Sequence, residues 1–192
     1  MEPTAEMRWW WPGPCPDEVV AWFAALPDAL EEESRTDHYL SLPGHVATGI
    51  KARAGDQLDV KVRIGREEDV RVGDRVTGHL ERWTKWQFPL ATDGPGIEDL
   101  DGFPGSWVRA SKYRWLVEVG ACELEVGEVD VDGDVWWTIA AEATGEGDTG
   151  RDHVLSCLRW MVDHGMPDVV SLTPEASWGY PAHLRHVIDE RT

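Results

Sequence analysis

The stretch "LDVKVRIG", residues 58–65, alternates Leu58, Val60, Val62 and Ile64 with Asp59, Lys61 and Arg63. Period two means a strand with one apolar edge and one charged edge. In a half-buried sheet the apolar edge faces the core and the charged edge faces water; in a barrel with a charged bore the order reverses. Three other segments repeat the pattern. Lys51 and Arg53 share a face in "GIKARA", Lys112 and Arg114 in "SKYRW", and Glu123 and Glu125 in "CELEV". If these faces converge, three basic pairs surround one site with an acidic pair beside them. Such cations hold phosphate oxygens, and such carboxylates hold a divalent ion that bridges to them.

Around these segments the chain reads as short strands: "DHYLSL", "HVATGIKARA", "QLDVKVRI", "RVTGHLERWTKWQF", "SWVRASKYRWLVEV", "ACELEVGEV" and "DVWWTIAAEAT". Turn chemistry separates them at Ala54-Gly55-Asp56 and Asp132-Gly133, and "ATDGPGIEDLDGFPGS" is a long loop. The opening "MRWWWPGPCP" is extended, and "PDEVVAWFAALPDALEEES" predicts a short helix capped by Asp17 and limited by Pro27. "DTGRDHVLSCLRWMVDHG" carries an apolar stripe of Val154, Leu155, Leu158, Met161 and Val162, with Gly165 as a stop, and "PAHLRHVIDE" adds a terminal helix. Strands in series with helices only at the ends predict an α+β fold built on an antiparallel barrel or sandwich. One domain over residues 1–192, with a helical segment at 150–192, accounts for the length.

The formal charge of -18 speaks against a surface made for nucleic acid, which wants a basic field. The charge is uneven. Residues 51–114 hold 12 of the 18 Lys and Arg against 11 of the 36 Asp and Glu, so basic groups concentrate on the strand-like alternations. Cys15, Cys122 and Cys157 have neither pairing nor metal-ligand spacing, which predicts free thiols in a reducing, cytoplasmic setting. No run of 18 apolar residues argues for a membrane span. Twelve tryptophans predict extensive packing of aromatic rings in the core and between helix and barrel.

Taken in order, "RTDHYL", "GIKARA", "LDVKVRIG", "SKYRW" and "CELEV", continued by "WWTIAAEATG", resemble the strand signatures of the CYTH proteins, the triphosphate tunnel metalloenzymes. The resemblance implies an eight-stranded antiparallel β-barrel, a tunnel flanked by N- and C-terminal helices, with Lys61 and Arg63 facing inward. It implies binding, and metal-dependent hydrolysis, of a triphosphate or other small polyanion. On it, Lys51, Arg53, Lys61, Arg63, Arg109, Lys112 and Arg114 bind phosphate oxygens; Glu123, Glu125 and Glu142 hold Mg2+ or Mn2+; and Glu123, Glu125 and Lys61 serve catalysis. The partner is a small triphosphate-like anion, neither nucleic acid nor membrane. One departure stands out: where the family's first strand carries E-x-E-x-K, this chain reads "AEMRWWWPG", with Glu6 and Arg8 before three tryptophans. That favours a non-catalytic, polyanion-binding or regulatory scaffold as an alternative. A lipocalin-like barrel with an apolar lumen and outward cations is another.

Other signals carry less. "EVDVDGDVWWTI" ends on Ile139 where a calcium loop needs a bidentate acid, so a hairpin at Asp132-Gly133 is the better reading. His183 and His186 sit three apart without an H-E-x-x-H arrangement or nearby cysteines, and Cys157 near His153 reads as a structural cysteine. "GDRVTG" has no phosphate-loop pattern.

Overall fold

A computed structural model describes residues 2–27, 30–42, 44–53, 57–90 and 106–189. The Ala54-Gly55-Asp56 turn and residues 91–105 of the long loop lie outside them. Nine strands form in chain order: β1 (Glu2–Pro12), β2 (Glu31–Ser41), β3 (Thr48–Arg53), β4 (Gln57–Arg63), β5 (Glu68–Val72), β6 (Val76–Pro89), β7 (Ser106–Val119), β8 (Cys122–Val131) and β9 (Asp134–Thr144). Helix α1 (Asp17–Ala24) follows β1, and α2 (Thr149–Asp163) and α3 (Tyr180–Asp189) follow β9.

Hydrogen-bonded neighbours run β1-β9-β8-β7-β2-β3-β4-β6, and β6 pairs back onto β1 from Glu2↔Lys85 to Glu6↔Glu81, closing an eight-stranded barrel. All the pairings are antiparallel, as short hairpin connections demand. Strand β5 pairs only with the first half of β6 and stands outside the closed wall. The β8–β9 hairpin turns at Asp132 and Gly133, both with positive φ (50° and 100°), which is the primed turn that strand twist favours.

The two faces of β1 explain much of the architecture. Ala5, Met7 and Trp9 point out into a core shared with Leu124, Val126 and Ile139 of the neighbouring strands. Val19 and Phe23 of α1 and Val154, Leu158 and Met161 of α2 complete that core. Helices thus cover the outside of β1, β8 and β9, the predicted helix stripe of α2 included. Alternate residues of β1, ending in Trp10, point in. Trp10 joins Tyr39, Val108, Ala110, Val129 and Val131 in a second core, and Leu184 and Val187 of α3 fill it. Helix α3 therefore plugs one end of the barrel. It gets there through the gap that opens where β1 and β6 part: Ser177 bridges to Trp9, and its Oγ accepts the His79 N–H at 2.9 Å.

The structure corrects two expectations and sharpens a third. Helix α1 stops at Ala24, ahead of the limit set at Pro27, and the "EEES" at the end of the segment quoted as helical is the start of β2. Asp17 lies in the first turn of α1 while Pro16 is the N-cap, without a side-chain capping bond. The N-terminal segment, read only as extended, is a barrel strand that is buried from Thr4 to Trp10. Cys15, Cys122 and Cys157 are free and buried. Among the described residues no helix is long and apolar enough to cross a membrane.

Candidate functional site: a charged blind bore

The apolar edge of "LDVKVRIG" faces outward. Leu58 lies across from Phe88 and Val60 across from Trp86, on an outer surface where Ile64 is 52% exposed. The barrel interior receives Asp59 and Lys61 instead. They line a cavity of about 340 Å3, together with inward residues from all eight barrel strands.

Eight basic and six acidic side chains line this cavity, a net positive interior in a chain of net charge -18. The signs are segregated by strand. Five of the six acids come from three consecutive strands, as Glu2 and Glu6 of β1, Glu142 of β9, and Glu123 and Glu125 of β8; the sixth, Asp59, is on β4. Base comes mainly from the opposite wall, as Arg114 and Lys112 of β7, Arg35 of β2, Lys51 and Arg53 of β3, Lys61 of β4 and Lys85 of β6. Two like-charge pairs sit directly across strands, Arg35↔Lys112 and Lys61↔Lys85, an arrangement that repels unless an anion lies between.

On the basic wall, Lys112 Nζ donates to Asp37 Oδ2 at 2.8 Å and to the Tyr39 hydroxyl at 2.6 Å. Lys51 and Arg35 also face Asp37 Oδ2, each at 3.4 Å. Burial alone would raise the Asp37 pKa, but Lys112, Lys51 and Arg35 hold it well below the usual carboxylate range. Arg35 has a second carboxylate in Glu33 at 2.8 Å and Lys51 one in Asp59 at 3.6 Å. Burial and the neighbouring Lys51 push Lys112 well below an ordinary lysine, and burial brings Lys51 down to about 8. Arg53 Nη2 lies 3.3 Å from Asp59 Oδ2.

On the acidic wall every deep carboxylate already has a cation. Arg8 holds Glu6 through Nε (2.8 Å) and Glu125 through Nη1 (2.6 Å), and Arg114 Nη1 holds the second oxygen of Glu125 at 2.6 Å. Gly127 makes room for Arg114, because a Cβ there would meet the Arg114 Cγ at 3.4 Å and the Tyr113 carbonyl at 3.3 Å. Despite burial, Lys61 and Arg8 keep Glu6 at about 2, and Arg8 and Arg114 hold Glu125 far below its ordinary value. Glu123, at the rim, is pushed up by burial and by Glu125.

The floor of the bore is aromatic. Tyr180, the first residue of α3, stacks on Tyr39 with centroids 5.4 Å apart, and its ring lies 4.2 Å from Lys112 Nζ and 4.9 Å from the Arg8 guanidinium. Trp83 lies 5.4 Å from Lys61 Nζ. Cation–π contacts of this kind hold the ammonium groups at the rings. Gly49 allows α3 to begin here, since a Cβ would stand 3.2 Å from Pro181.

The predicted residues sort unequally. Lys51, Arg53, Lys61, Lys112, Arg114, Glu123, Glu125 and Glu142 all line the one cavity. Arg63 shares the inward parity of Lys61 but lies beyond the cavity, tied to Glu81 at 2.7 Å and Glu67 at 2.8 Å. Arg109 is exposed; it sits between the buried Val108 and Ala110, and alternation turns it outward. On sequence, Asp59 falls on the charged edge beside Lys61, and Asp37 and Tyr39 fall within "RTDHYL", but these three, like Glu6 and Arg8, were given no role in the site. Arg35, Lys85 and Tyr180 were passed over: Arg35 shares the period of Asp37 and Tyr39, whereas Lys85 and Tyr180 needed strand pairing and the placement of α3.

The lining is also charged where a lipocalin-like bore would be aliphatic. A divalent-metal site does not fit the side chains as they stand. Among the described residues no three His, Cys, Asp or Glu side chains converge as a metal-binding group. Lys61 bridges Glu6 and Glu142, and Arg8 bridges Glu6 and Glu125.

No family model matches the chain, and no curated protein matches it. Solved structures do. The PH1819 protein of Pyrococcus horikoshii OT3 is 13% identical with a TM-score of 0.55, over 97% of this chain and 99% of that one. The Mimivirus capping enzyme triphosphatase is 9% identical with a TM-score of 0.52, over 84% and 89%. A chain of the Schizosaccharomyces pombe Mediator head module is 7% identical with a TM-score of 0.54, over 86% and 96%. The likeness is one of fold. One of these proteins is a triphosphatase and another is part of Mediator, so the barrel alone assigns no activity.

Proposed function

We propose that the bore binds a triphosphate or similar short polyanion, taken in at the mouth and held against the basic wall. The observation that carries this reading is the lining itself, eight cations against six carboxylates, with Lys112, Lys51 and Arg35 gathered around one oxygen of Asp37. Excess buried cations are costly unless compensated, and a phosphate chain offers several charged oxygens at the spacing such groups can share. Lys51, Arg53, Lys85 and Lys112 are the contacts of this proposal. The barrel fold shared with a triphosphatase is compatible with it.

Hydrolysis is the second part of the proposal. The bore could favour phosphoryl transfer by neutralising charge and fixing the anion, which are the main demands of that chemistry. The carboxylate best placed to orient water is Glu123 at the open end; Glu142 beside it shares Lys61 with Glu6, and Glu6 and Glu125 are fully engaged by arginine and lysine. This engagement favours retention of the anion over turnover.

Trp83 in the lining gives a direct readout. Titration with tripolyphosphate is expected to change tryptophan emission saturably, and phosphate release then separates hydrolysis from binding. An emission spectrum that stays flat through the titration rejects the reading.

A further inference from the structure

Resting on the polyanion reading, we infer that the bore takes its ligand without a divalent metal ion, because the Lys61 ammonium holds the place such an ion would bridge. Four glutamates run in register across adjacent strands: Glu81 of β6 opposite Glu6 of β1, Glu6 opposite Glu142 of β9, and Glu142 opposite Glu123 of β8. Glu125 lies one inward step deeper on β8. Like charges placed directly across strands repel, so this row persists only with cations set among its members.

Those cations are side chains. Lys61 Nζ stands 2.6 Å from Glu6 Oε2 and 3.0 Å from Glu142 Oε1, joining carboxylates from two strands as a metal would. Arg8 joins Glu6 to Glu125, Arg114 takes the other oxygen of Glu125, and Arg63 takes Glu81 at 2.7 Å. Four cations therefore serve four of these five carboxylates, and the rim residue Glu123 stands outside these pairs. A divalent ion entering the row would have to displace Lys61 or sit beside it, adding charge to a wall already near neutrality. The next inward residue of β1 toward the mouth is Thr4, a buried hydroxyl whose Oγ1 has no hydrogen-bond partner. It brings no carboxylate to the row.

The test is a fluorescence titration of the full chain with tripolyphosphate in excess EDTA, repeated with Mg2+ and with Mn2+. A second titration uses Tb3+ without phosphate, reading terbium emission on tryptophan excitation near Trp83. The inference predicts saturable tripolyphosphate binding in EDTA, no gain in affinity from either metal, and no stoichiometric terbium signal. In Lys61→Met the Glu6–Glu142 bridge is gone, and a saturable terbium signal appears; Lys61→Gln serves the same purpose should the Met variant not fold. Tripolyphosphate binding that requires metal, or that gains about tenfold or more from it, overturns the inference and leaves the polyanion reading standing. So does stoichiometric terbium uptake by the wild type, or a folded Lys61 variant that takes up none. No response to tripolyphosphate under any condition removes the polyanion reading itself.

Discussion

Lys112 and Asp37 form an ion pair at 2.8 Å in which neither side chain is more than 2% exposed, and the same carboxylate oxygen also faces Lys51 and Arg35. Removing the carboxylate leaves Lys112 buried without its ion pair, while Arg35 keeps Glu33 at 2.8 Å and Lys51 keeps Asp59 at 3.6 Å. Asp37→Asn is therefore expected to cost about 3–5 kcal/mol of stability, the range for breaking a buried pair. A bound polyanion would replace the lost charge, so tripolyphosphate should raise the melting temperature of Asp37→Asn more than that of the wild type. Thermal unfolding with and without the anion checks both statements.

Lys51 gives the binding a pH dependence. Burial brings its pKa down from the ordinary 10.5 to about 8, so it loses its proton in the free protein as pH rises through 8. An anion favours the protonated form. Affinity for tripolyphosphate should fall as pH climbs past this value, and binding there should take up protons. Calorimetry in two buffers of different ionisation heat measures the uptake. The same depression makes stability increase with pH between about 8 and 10.5, where the unfolded chain binds the extra proton.

The acidic wall sets the behaviour at low pH. Glu6 is held at about 2 against 4.5, so its contribution is complete above 4.5 and is lost as pH falls toward 2. Glu125 and Asp37, likewise lowered, add to the same loss. Urea unfolding across this window should show a steep fall in stability, shallower in Glu6→Gln.

Parity along the strands separates two groups of basic residues. Lys51→Ala and Arg53→Ala, on the cavity lining, should each weaken tripolyphosphate binding by about tenfold, the scale of one charge-assisted contact. Arg109→Ala, on the exposed face of β7, should bind like the wild type. Equal losses at all three positions would contradict the inward assignment.

Helix α3 is the plug, and its removal should be felt throughout the barrel end. Leu184 is 5% exposed in the inner core with Trp10 and Val129. Leu184→Ala should cost about 2–5 kcal/mol in denaturant unfolding. The buried His183 stacks on Trp10 with centroids 3.6 Å apart, and burial brings its pKa down to about 3, so the plug stays uncharged near neutrality.

Much of the barrel was legible because alternation is a local property. Lys61, Lys51, Lys112, Arg114, Glu123 and Glu125 could be placed on strand faces from spacing, and the family resemblance chose the inward face. Arg109 shows the limit: its residue type suggested a ligand contact, but its parity with Val108 and Ala110 was decisive. The N-terminal strand was harder to read. Thr4, Glu6 and Arg8 do alternate with Ala5, Met7 and Trp9, but the polar run is short, and the three consecutive tryptophans and Pro12 that follow break the period. The floor was hidden for another reason. Tyr180 and α3 reach the bore through a gap between β1 and β6, a relation among segments about 100 residues or more apart that no local period encodes.

Calorimetric titration of tripolyphosphate into the wild type and into a Lys51→Ala/Arg53→Ala variant weighs the charged bore most directly. One anion per chain, bound by the wild type and lost in a variant that still unfolds cooperatively, is the predicted result. Equal heats from both proteins, or none from the wild type, would contradict it.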